Sequence, residues 1–339
     1  MRIKKYLLSL LILLAGNGLL AQQSAPLKIA VFAPIYLDTL FNGSNYSLGN
    51  NNLPRTVLPG LDFYNGIQLA IDSLNAEGQL LTVLFYDSKS NTQSVKQILS
   101  TEALQDVSMI IASFNNRNDI KPLADFALNK QIPLISMTYP NDGGVKANPY
   151  FALVNPTLTT HVEGIFKYLQ KNYPTEPILY LKRQGGLEDM IEGLFKDLNK
   201  KTPGLPLKIK TVTATDSTNI ASFNSVLDST KINIIFCGSL NENFGMNLVK
   251  TTAANKSYKS ILIGMPTWDG IKEFNRAIAF DEVNKGVEII YSTPYHFSRT
   301  EKLGKSLVEK YKDKYFARAS DWFLKGYESM YYFSTLLVK

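Results

Sequence analysis

Cysteine is almost absent from this chain of 339 residues, where Cys237 stands alone. No internal disulfide can form, so packing must stabilise the fold without covalent help. Cys237 closes the apolar run Ile232–Phe236 and reads as a small buried hydrophobe rather than a reactive thiol. Histidine is nearly as scarce. His161, read as a helix-flank residue, and His296 lie far apart in sequence on different predicted elements. No His-x-x-x-His pair, no Gly-x-Ser-x-Gly elbow and no Cys–His partnership is present, so metallo-, serine- and thiol-hydrolase chemistry lack their groups. Glu188 and Asp189 are neighbours on a predicted helix and do not face one another. No enzymatic activity, cofactor or metal is expected.

Long apolar runs are absent beyond the first 21 residues. Those residues read as a secretory signal: Arg2, Lys4 and Lys5 form a basic start, and Tyr6–Leu14 is an apolar stretch too short to span a bilayer. Ala15, Gly16 and Gly18 break it, and Ala21-Gln22 is the expected cut, with Leu19 looser than usual three residues before it. No Cys lies near that cut, which argues against a lipid anchor. An export signal without a disulfide framework suits a bacterial periplasm. Concentrated charge is missing too. Three positive charges of the net +7 lie in the signal, leaving +4, and the remaining lysines (Lys167, Lys196, Lys305, Lys310) are scattered along helix faces. There is no Arg-rich cluster with interleaved aromatics, so a nucleic-acid partner is not expected.

What the chain does have is one repeated unit: a short apolar strand, a polar turn and a helix. Strands are predicted at Lys28–Ala33, Leu81–Asp87, Val107–Ala112, Ile132–Ser136 and Tyr150–Val154, then at Ile178–Lys182, Leu207–Thr213, Ile232–Cys237, Ile261–Gly264 and Val287–Tyr291. Helices are predicted from Gln93, Asn118 and Leu187, among others. Ile67, Ala70, Ile71 and Leu74 form one helical stripe, and Gly78 ends that helix. Ile120, Leu123, Ala124, Ala127 and Leu128 form another, with Asn116 or Asn118 as cap. Val162, Ile165, Phe166 and Leu169 line a third; Leu187, Met190, Ile191, Leu194 and Leu198 line a fourth. Two amphipathic helices, around Leu303–Tyr315 and Trp322–Leu337, close the chain. Lys339 falls inside a helical pattern without a stop signal, from which a truncated chain is expected.

This alternation predicts parallel sheets covered by crossover helices. In such folds ligands sit outside the carboxyl ends of the strands, so the turns after the strands are the candidate sites. Asp38–Pro59, rich in Asn, Gly, Ser and Pro, reads as a long loop over that edge. Ser113–Asn118 precedes a helix N-terminus where backbone amides favour an anion and Arg117 offers a fork of donors; an ordinary capped turn is the alternative. Tyr139, after Thr138, is either a stacking surface or an interface wedge. Trp268 beside Asp269 is either a stacking and cation-pairing patch or a core residue. Tyr295 and His296 are weaker candidates. Lys182–Gly186 has glycines but not the spacing of a phosphate loop.

The stretch Gly60–Gly78, GLDFYNGIQLAIDSLNAEG, resembles the first helix of the type I periplasmic binding proteins, the leucine/isoleucine/valine-binding group. Leu81–Asp87, Val107–Ser113, Ile132–Ser136, Asn148–Phe151, Ile261–Gly264, Gly286–Ile290 and Gly326–Tyr331 follow in that family's order. The resemblance covers nearly everything after the signal. It implies two Rossmann-like α/β lobes, each a mainly parallel sheet flanked by helices, with a hinged interlobe cleft. The boundaries expected are 1–21 for the signal peptide, 27–154 plus 294–339 for lobe 1, and 155–293 for lobe 2. The family chain continues past the Gly-Tyr helix with further strands. Its carboxylate-binding positions fall near Asn118–Asp119 and on Thr138-Tyr139-Pro140, where Asp119 would repel a carboxylate and Pro140 lacks a donor. Glu242 and Asp269 are candidates for the acid that meets a ligand ammonium, and Arg183 or Gln184 for cleft contacts.

The expectation is an exported solute-binding protein that closes two lobes over a small polar ligand, an amino acid or similar, for an ABC-type uptake system with a membrane permease as partner. The ligand contacts expected are Ser113, Asn115, Asn116, Thr138, Tyr139, Arg183, Trp268 and Asp269. The alternative is an envelope scaffold or sensor that uses the same fold to bind a protein partner or cell-wall polymer; a hydrolase ranks third.

Overall fold

A computed structural model describes residues 26–49, 52–138, 141–214, 225–271, 287–294 and 301–338. The chain divides into two compact units, one within Met1–Val154 and Arg299–Lys339, the other within Asn155–Ser298.

The first unit begins with β1 (Leu27–Ala33), whose residues Ile29 to Ala33 have no exposed surface. A strand apolar on both faces must be covered on both, which is why it sits inside a parallel sheet. The segment expected as one long loop is partly ordered instead. It holds a helical turn, α1 (Leu37–Leu40), and a two-residue hairpin of β2 (Phe41–Asn42) and β3 (Asn45–Tyr46), turned by Gly43 at φ +59°. Helix α2 (Leu58–Ala76) starts with Pro59 in its first turn and ends before Gly78 at φ +78°. Then come β4 (Leu81–Asp87) and α3 (Val95–Leu99). The expected start at Gln93 moves to Val95 because Ser94 and Gln97 close a capping box. After β5 (Met109–Ala112) a single 3-10 turn, Arg117–Asp119, precedes α4 (Ile120–Lys130), so the α-helix starts two residues later than the predicted Asn118. Strands β6 (Leu134–Ser136) and β7 (Phe151–Leu153) complete the sheet.

The second unit opens with α5 (Leu158–Asn172), capped by Thr157, followed by β8 (Pro177–Arg183), α6 (Gly186–Lys201) and β9 (Lys208–Ala214). It continues with β10 (Asn233–Cys237), α7 (Glu242–Ala254), β11 (Ser260–Gly264), a 3-10 turn at Pro266–Gly270 and β12 (Val287–Tyr291). Two helices belong to the first unit again: α8 (Lys302–Tyr315) and α9 (Asp321–Val338).

Both sheets are five-stranded and wholly parallel, and they share one order. The first runs β4-β1-β5-β6-β7 and the second β9-β8-β10-β11-β12. Numbered within its own unit, each is 2-1-3-4-5, the doubly wound order whose switch point lies between strands one and three. The switch points are therefore β1/β5 in the first unit and β8/β10 in the second.

Side-chain burial refines the predicted stripes. Ile67, Ala70 and Leu74 are buried on α2, and Val162, Ile165, Phe166 and Leu169 on α5. Leu128, Leu187 and Met190, expected in stripes, are 41, 43 and 48 % exposed. On α6 the core face is Ile191 and Phe195, one turn apart, with Leu194 and Leu198 partly buried beside them. Helices α2 and α9 meet at glycines: a Cβ on Gly66 would lie 2.0 Å from the Phe323 carbonyl oxygen, and one on Gly326 would lie 2.2 Å from that of Phe63.

Candidate ligand-binding edges

In the first unit, Asp87 ends β4 and organises the switch point. Its carboxylate is 8 % exposed and accepts the backbone N–H groups of Ile35 (3.0 Å), Leu37 (2.7 Å) and Lys89 (2.9 Å). The bonds from Ile35 and Leu37 flank Tyr36, which is held in the left-handed region at φ 60°, ψ 43°. A bulky residue rarely adopts that conformation unless its surroundings impose it. The Tyr36 hydroxyl in turn accepts the Asn115 carboxamide N–H at 2.7 Å. Tyr36 follows β1 and Asn115 follows β5, so this contact spans the switch point itself. One layer below, the hydroxyls of Ser113 and Thr138 pair at 3.0 Å with 1 and 3 % exposure. The structure thus brings together Ser113, Asn115 and Thr138, but only Asn115 offers an exposed side chain; the two hydroxyls form the buried floor.

Asn116 takes the bland alternative. Its carboxamide oxygen caps the following turn, accepting from the N–H groups of Asn118 (2.8 Å) and Asp119 (3.3 Å). Asp119, expected to repel a carboxylate, is paired with Lys89 at 2.5 Å, both side chains largely buried, so its charge is matched. Tyr139, Pro140, Tyr295 and His296 lie outside the described residues.

In the second unit, Arg183 ends β8 half-buried, and Gly185 forms the N-cap of α6. Glu188, in the first turn of α6, is 7 % exposed. Its Oε1 accepts the hydroxyl of Ser239 at 2.7 Å, and Ser239, with no exposed surface, follows β10. The same Ser239 oxygen accepts the backbone N–H of Asn241 at 3.2 Å, and Asn241 caps α7 through a 2.8 Å bond from Phe244. This contact too crosses the switch point, here β8/β10. Asp189 points elsewhere: with Glu192 it grips Lys182, at 2.5 and 2.6 Å.

Trp268 does not line a surface. It has no exposure and belongs to the core; a Cβ on Gly264 would lie 2.1 Å from its ring and one on Gly245 would lie 2.4 Å from its Nε1. The two glycines make room for the indole, and the stacking patch expected here is corrected to a packing role. Asp269 beside it is half-buried and approaches Tyr291, whose phenol is held above its ordinary pKa, first by burial and then by that carboxylate. Glu242 lies against Gly270, where a Cβ would be 3.5 Å from its Oε1.

Of the groups scarce in the sequence, Cys237 and His161 are spent on structure. Burial pushes the Cys237 thiol up to about 12, which leaves it without thiolate character. His161, in the first turn of α5, is buried rather than flanking; its Nδ1 lies 3.1 Å from the Ser292 hydroxyl, and burial lowers its pKa. Among the described residues no cluster of His, Cys, Asp and Glu could hold a metal, and no helix is long and apolar enough to cross a membrane. A cavity of about 590 Å³ opens at the other end of the second sheet, where the amino ends of β8 and β10 contribute Pro177, Ile178, Asn233 and Ile234. No predicted site residue lines it, and the topological argument places ligands at the opposite edge.

Sequence reasoning missed Tyr36, Asp87, Glu188 as an inward-facing acid, and Ser239. The signal for Ser239 was its place in the turn after β10, which was marked without naming a residue. Asp87 and Tyr36 carried no local signal, because their roles arise from strand order.

No protein-family model matches the chain, and no match is found among curated proteins. Solved structures do match its fold. A protein of Rhodospirillum rubrum described as a branched-chain amino acid ABC transporter superposes with a TM-score of 0.64 at 12 % identity, over 93 % of this chain and 84 % of that one. An ABC transporter substrate-binding protein of Desulfitobacterium hafniense in complex with Leu gives 0.58 at 13 % identity, over 92 % and 84 %. A solute-binding protein of an ABC transporter from Rhodopseudomonas palustris BisB5, in complex with 3,4-dihydroxybenzoic acid, gives 0.53 at 16 % identity, over 92 % and 81 %. The chain has the fold of the type I periplasmic binding proteins, the one that these ABC-transporter substrate-binding structures share.

Proposed function

We propose that this protein is an exported, non-enzymatic solute-binding protein that takes a small polar ligand at the carboxyl edges of its parallel sheets and serves an ABC-type uptake system with a membrane permease. The observation that carries the reading is the repeated 2-1-3-4-5 order with a side-chain contact spanning each switch point, Tyr36–Asn115 in one unit and Glu188–Ser239 in the other. Doubly wound sheets bind ligands at that point. The likeness to solute-binding folds supports it, as does the commitment of Cys237, His161 and the Lys182 carboxylates to structure. Tyr36 and Asn115 are the contacts proposed in the first unit, with Ser113 and Thr138 beneath them; Arg183 and Asp269 are retained in the second. Export rests on the basic and apolar start of the sequence.

Thermal melting in the presence of pooled amino acids, amines, aromatic acids and sugars tests this. A ligand present at a hundred times its Kd stabilises by about 2.7 kcal/mol, which raises Tm by roughly 5–10 °C for units of this size. No shift with any pool overturns the reading.

One observation favours the alternative of an envelope interaction module. Leu37, Phe41 and Tyr46 in the segment joining β1 to α2, and Leu58 at the start of α2, are 40–44 % exposed, with the rings of Phe41 and Tyr46 in edge contact at 5.6 Å. Co-sedimentation with purified cell-wall polymer, lost in Phe41→Ala/Tyr46→Ala, would carry that reading instead.

A further inference from the structure

The amino edge of the second sheet carries a cavity that the solute-binding reading leaves unused. It measures about 590 Å³, and every residue lining it belongs to the second unit. Organic ligands are held in cavities of about 300–1,000 Å³. The floor is aliphatic: Ile178 comes from β8, Ile234 from β10 and Ile261 from β11. Ile232, just before β10, lines the same space and is 55 % exposed. Both Ile232 and Ile261 also line a recess of about 300 Å³ that continues to Ser260 and to Glu288 of β12. The two spaces thus share a wall along the amino ends of the strands.

One corner of this space is electronegative. Helix α5 ends at Asn172, where its last carbonyls and the negative end of its dipole gather. Its C-cap, Tyr173, is half-buried and lines the cavity, and Glu176 lines it three residues on. The Tyr173 phenol is pushed up to about 12, first by burial, then by Tyr168, and then by the charges of Glu288 and Glu176. Carboxylates from β12 and from the turn before β8 therefore act on one aromatic ring, an arrangement that favours a cation. The lysines nearby are otherwise placed. Lys231 acts on Asp228, whose carboxyl is held low first by hydrogen bonds from Thr230 and then by that charge. Lys210 and Lys259 are exposed to water, which screens them.

The adjoining recess holds an unsatisfied group. Ser260 is 2 % exposed, and its hydroxyl has no hydrogen-bond partner among the described residues. A buried hydroxyl left in that state is costly. Because Ser260 shares the recess with Glu288, an N–H donor drawn in by the carboxylate meets an acceptor there.

We propose that the amino edge of the second sheet is a separate site for a primary amine with an apolar body, the body lying over Ile178, Ile234 and Ile261 and the ammonium at the corner of Tyr173, Glu176 and Glu288. This site is at the opposite end of the strands from the switch point, so it goes beyond the solute-binding reading and stands without it.

Isothermal titration of the full chain with butylamine, hexylamine and octylamine, and with octan-1-ol and octanoate, tests the assignment. Each two added methylenes should tighten the amine by about tenfold as apolar area is buried. Octan-1-ol and octanoate should each bind at least about fivefold more weakly than octylamine. Ile232→Trp fills the space from an exposed position and should abolish octylamine binding. Glu176→Gln/Glu288→Gln removes two exposed charges and should weaken octylamine by about fivefold while leaving octan-1-ol unchanged. Ligand-free melting curves report the folding of each variant. Octanoate binding more tightly than octylamine, no dependence on chain length, or unchanged octylamine binding in folded Ile232→Trp overturns the assignment. Loss of that binding in Asn115→Ala does so as well, since it would put the amine at the carboxyl edge of the first sheet. Absence of binding by every amine also overturns it. None of these outcomes removes solute binding at the carboxyl edges, which the pooled melts read separately.

Discussion

Tyr180 shows how a single buried atom can cost stability. Its ring lies 5.1–5.5 Å, centroid to centroid, from those of Phe195 and Phe236, and its hydroxyl has no partner among the described residues. Burying such a hydroxyl costs about 1–3 kcal/mol. Tyr180→Phe should therefore be more stable by about 1 kcal/mol, read as a rise in the denaturant midpoint at unchanged slope. Glu192 makes the complementary case. Hydrogen bonds from Lys182 and then Lys196 hold its carboxyl at about 2, against an ordinary 4.5. A carboxyl depressed in the folded state contributes stability that is fully present above its unfolded value and is lost as pH falls through the folded one. Melts between pH 5 and pH 2 should show that loss, and Glu192→Gln should flatten the profile in the window from 4.5 to 2. An unchanged profile would mean the network is worth little in solution.

At the scale of the element, the α2–α9 crossing depends on two absent side chains. Phe323 and Phe63 present backbone oxygens to Gly66 and Gly326 at 2.0–2.2 Å from any Cβ, and backbone cannot step aside as a side-chain tip can. Gly66→Ala should cost roughly 3 kcal/mol. Gly193→Ala on α6 has open space within 4 Å and should gain about 0.5–1 kcal/mol from helix propensity alone. Equal effects of the two would contradict the close approach. The same contrast marks what the sequence made legible. Periodicity found nearly every strand and helix, because apolar spacing is a local property. It misplaced Leu187 and Met190, which satisfy the α6 stripe by spacing but extend beyond what the sheet covers. It read Trp268-Asp269 as a surface pair, because the room for the indole comes from Gly245 and Gly264, 23 and 4 residues earlier in the chain. It marked Asn115, in the turn after β5, as a ligand contact, which stands as a proposal, yet gave no sign of Tyr36, its partner 79 residues upstream. Contacts across a switch point are written in strand order, which no single window of sequence displays.

For the whole molecule, the two units differ in continuity although they share strand order. The second lies within one stretch, Asn155–Ser298, whereas the first needs α8 and α9 from beyond residue 299. Tyr311 and Ser320 both donate to Asp62 on α2, at 2.5 Å each, and Tyr331 donates to Glu77 at its end at 2.7 Å, so those late helices are tied to α2. A fragment covering 155–298 should fold alone with a cooperative melt, while deletion of 299–339 should abolish cooperative melting of the first unit and leave that of the second. Loss of both transitions in the deletion would show that neither unit is an independent folding body.

Chains grow from their amino end, and domains generally finish in that sequence. Here the order inverts. The sheet that starts first, at Leu27, stays unfinished until the chain's closing forty or so residues arrive, and the later-born half is whole before them. During synthesis the face of α2 that meets α9 at Gly66 must wait uncovered, so this is the stretch where a holding chaperone would have the most to shield.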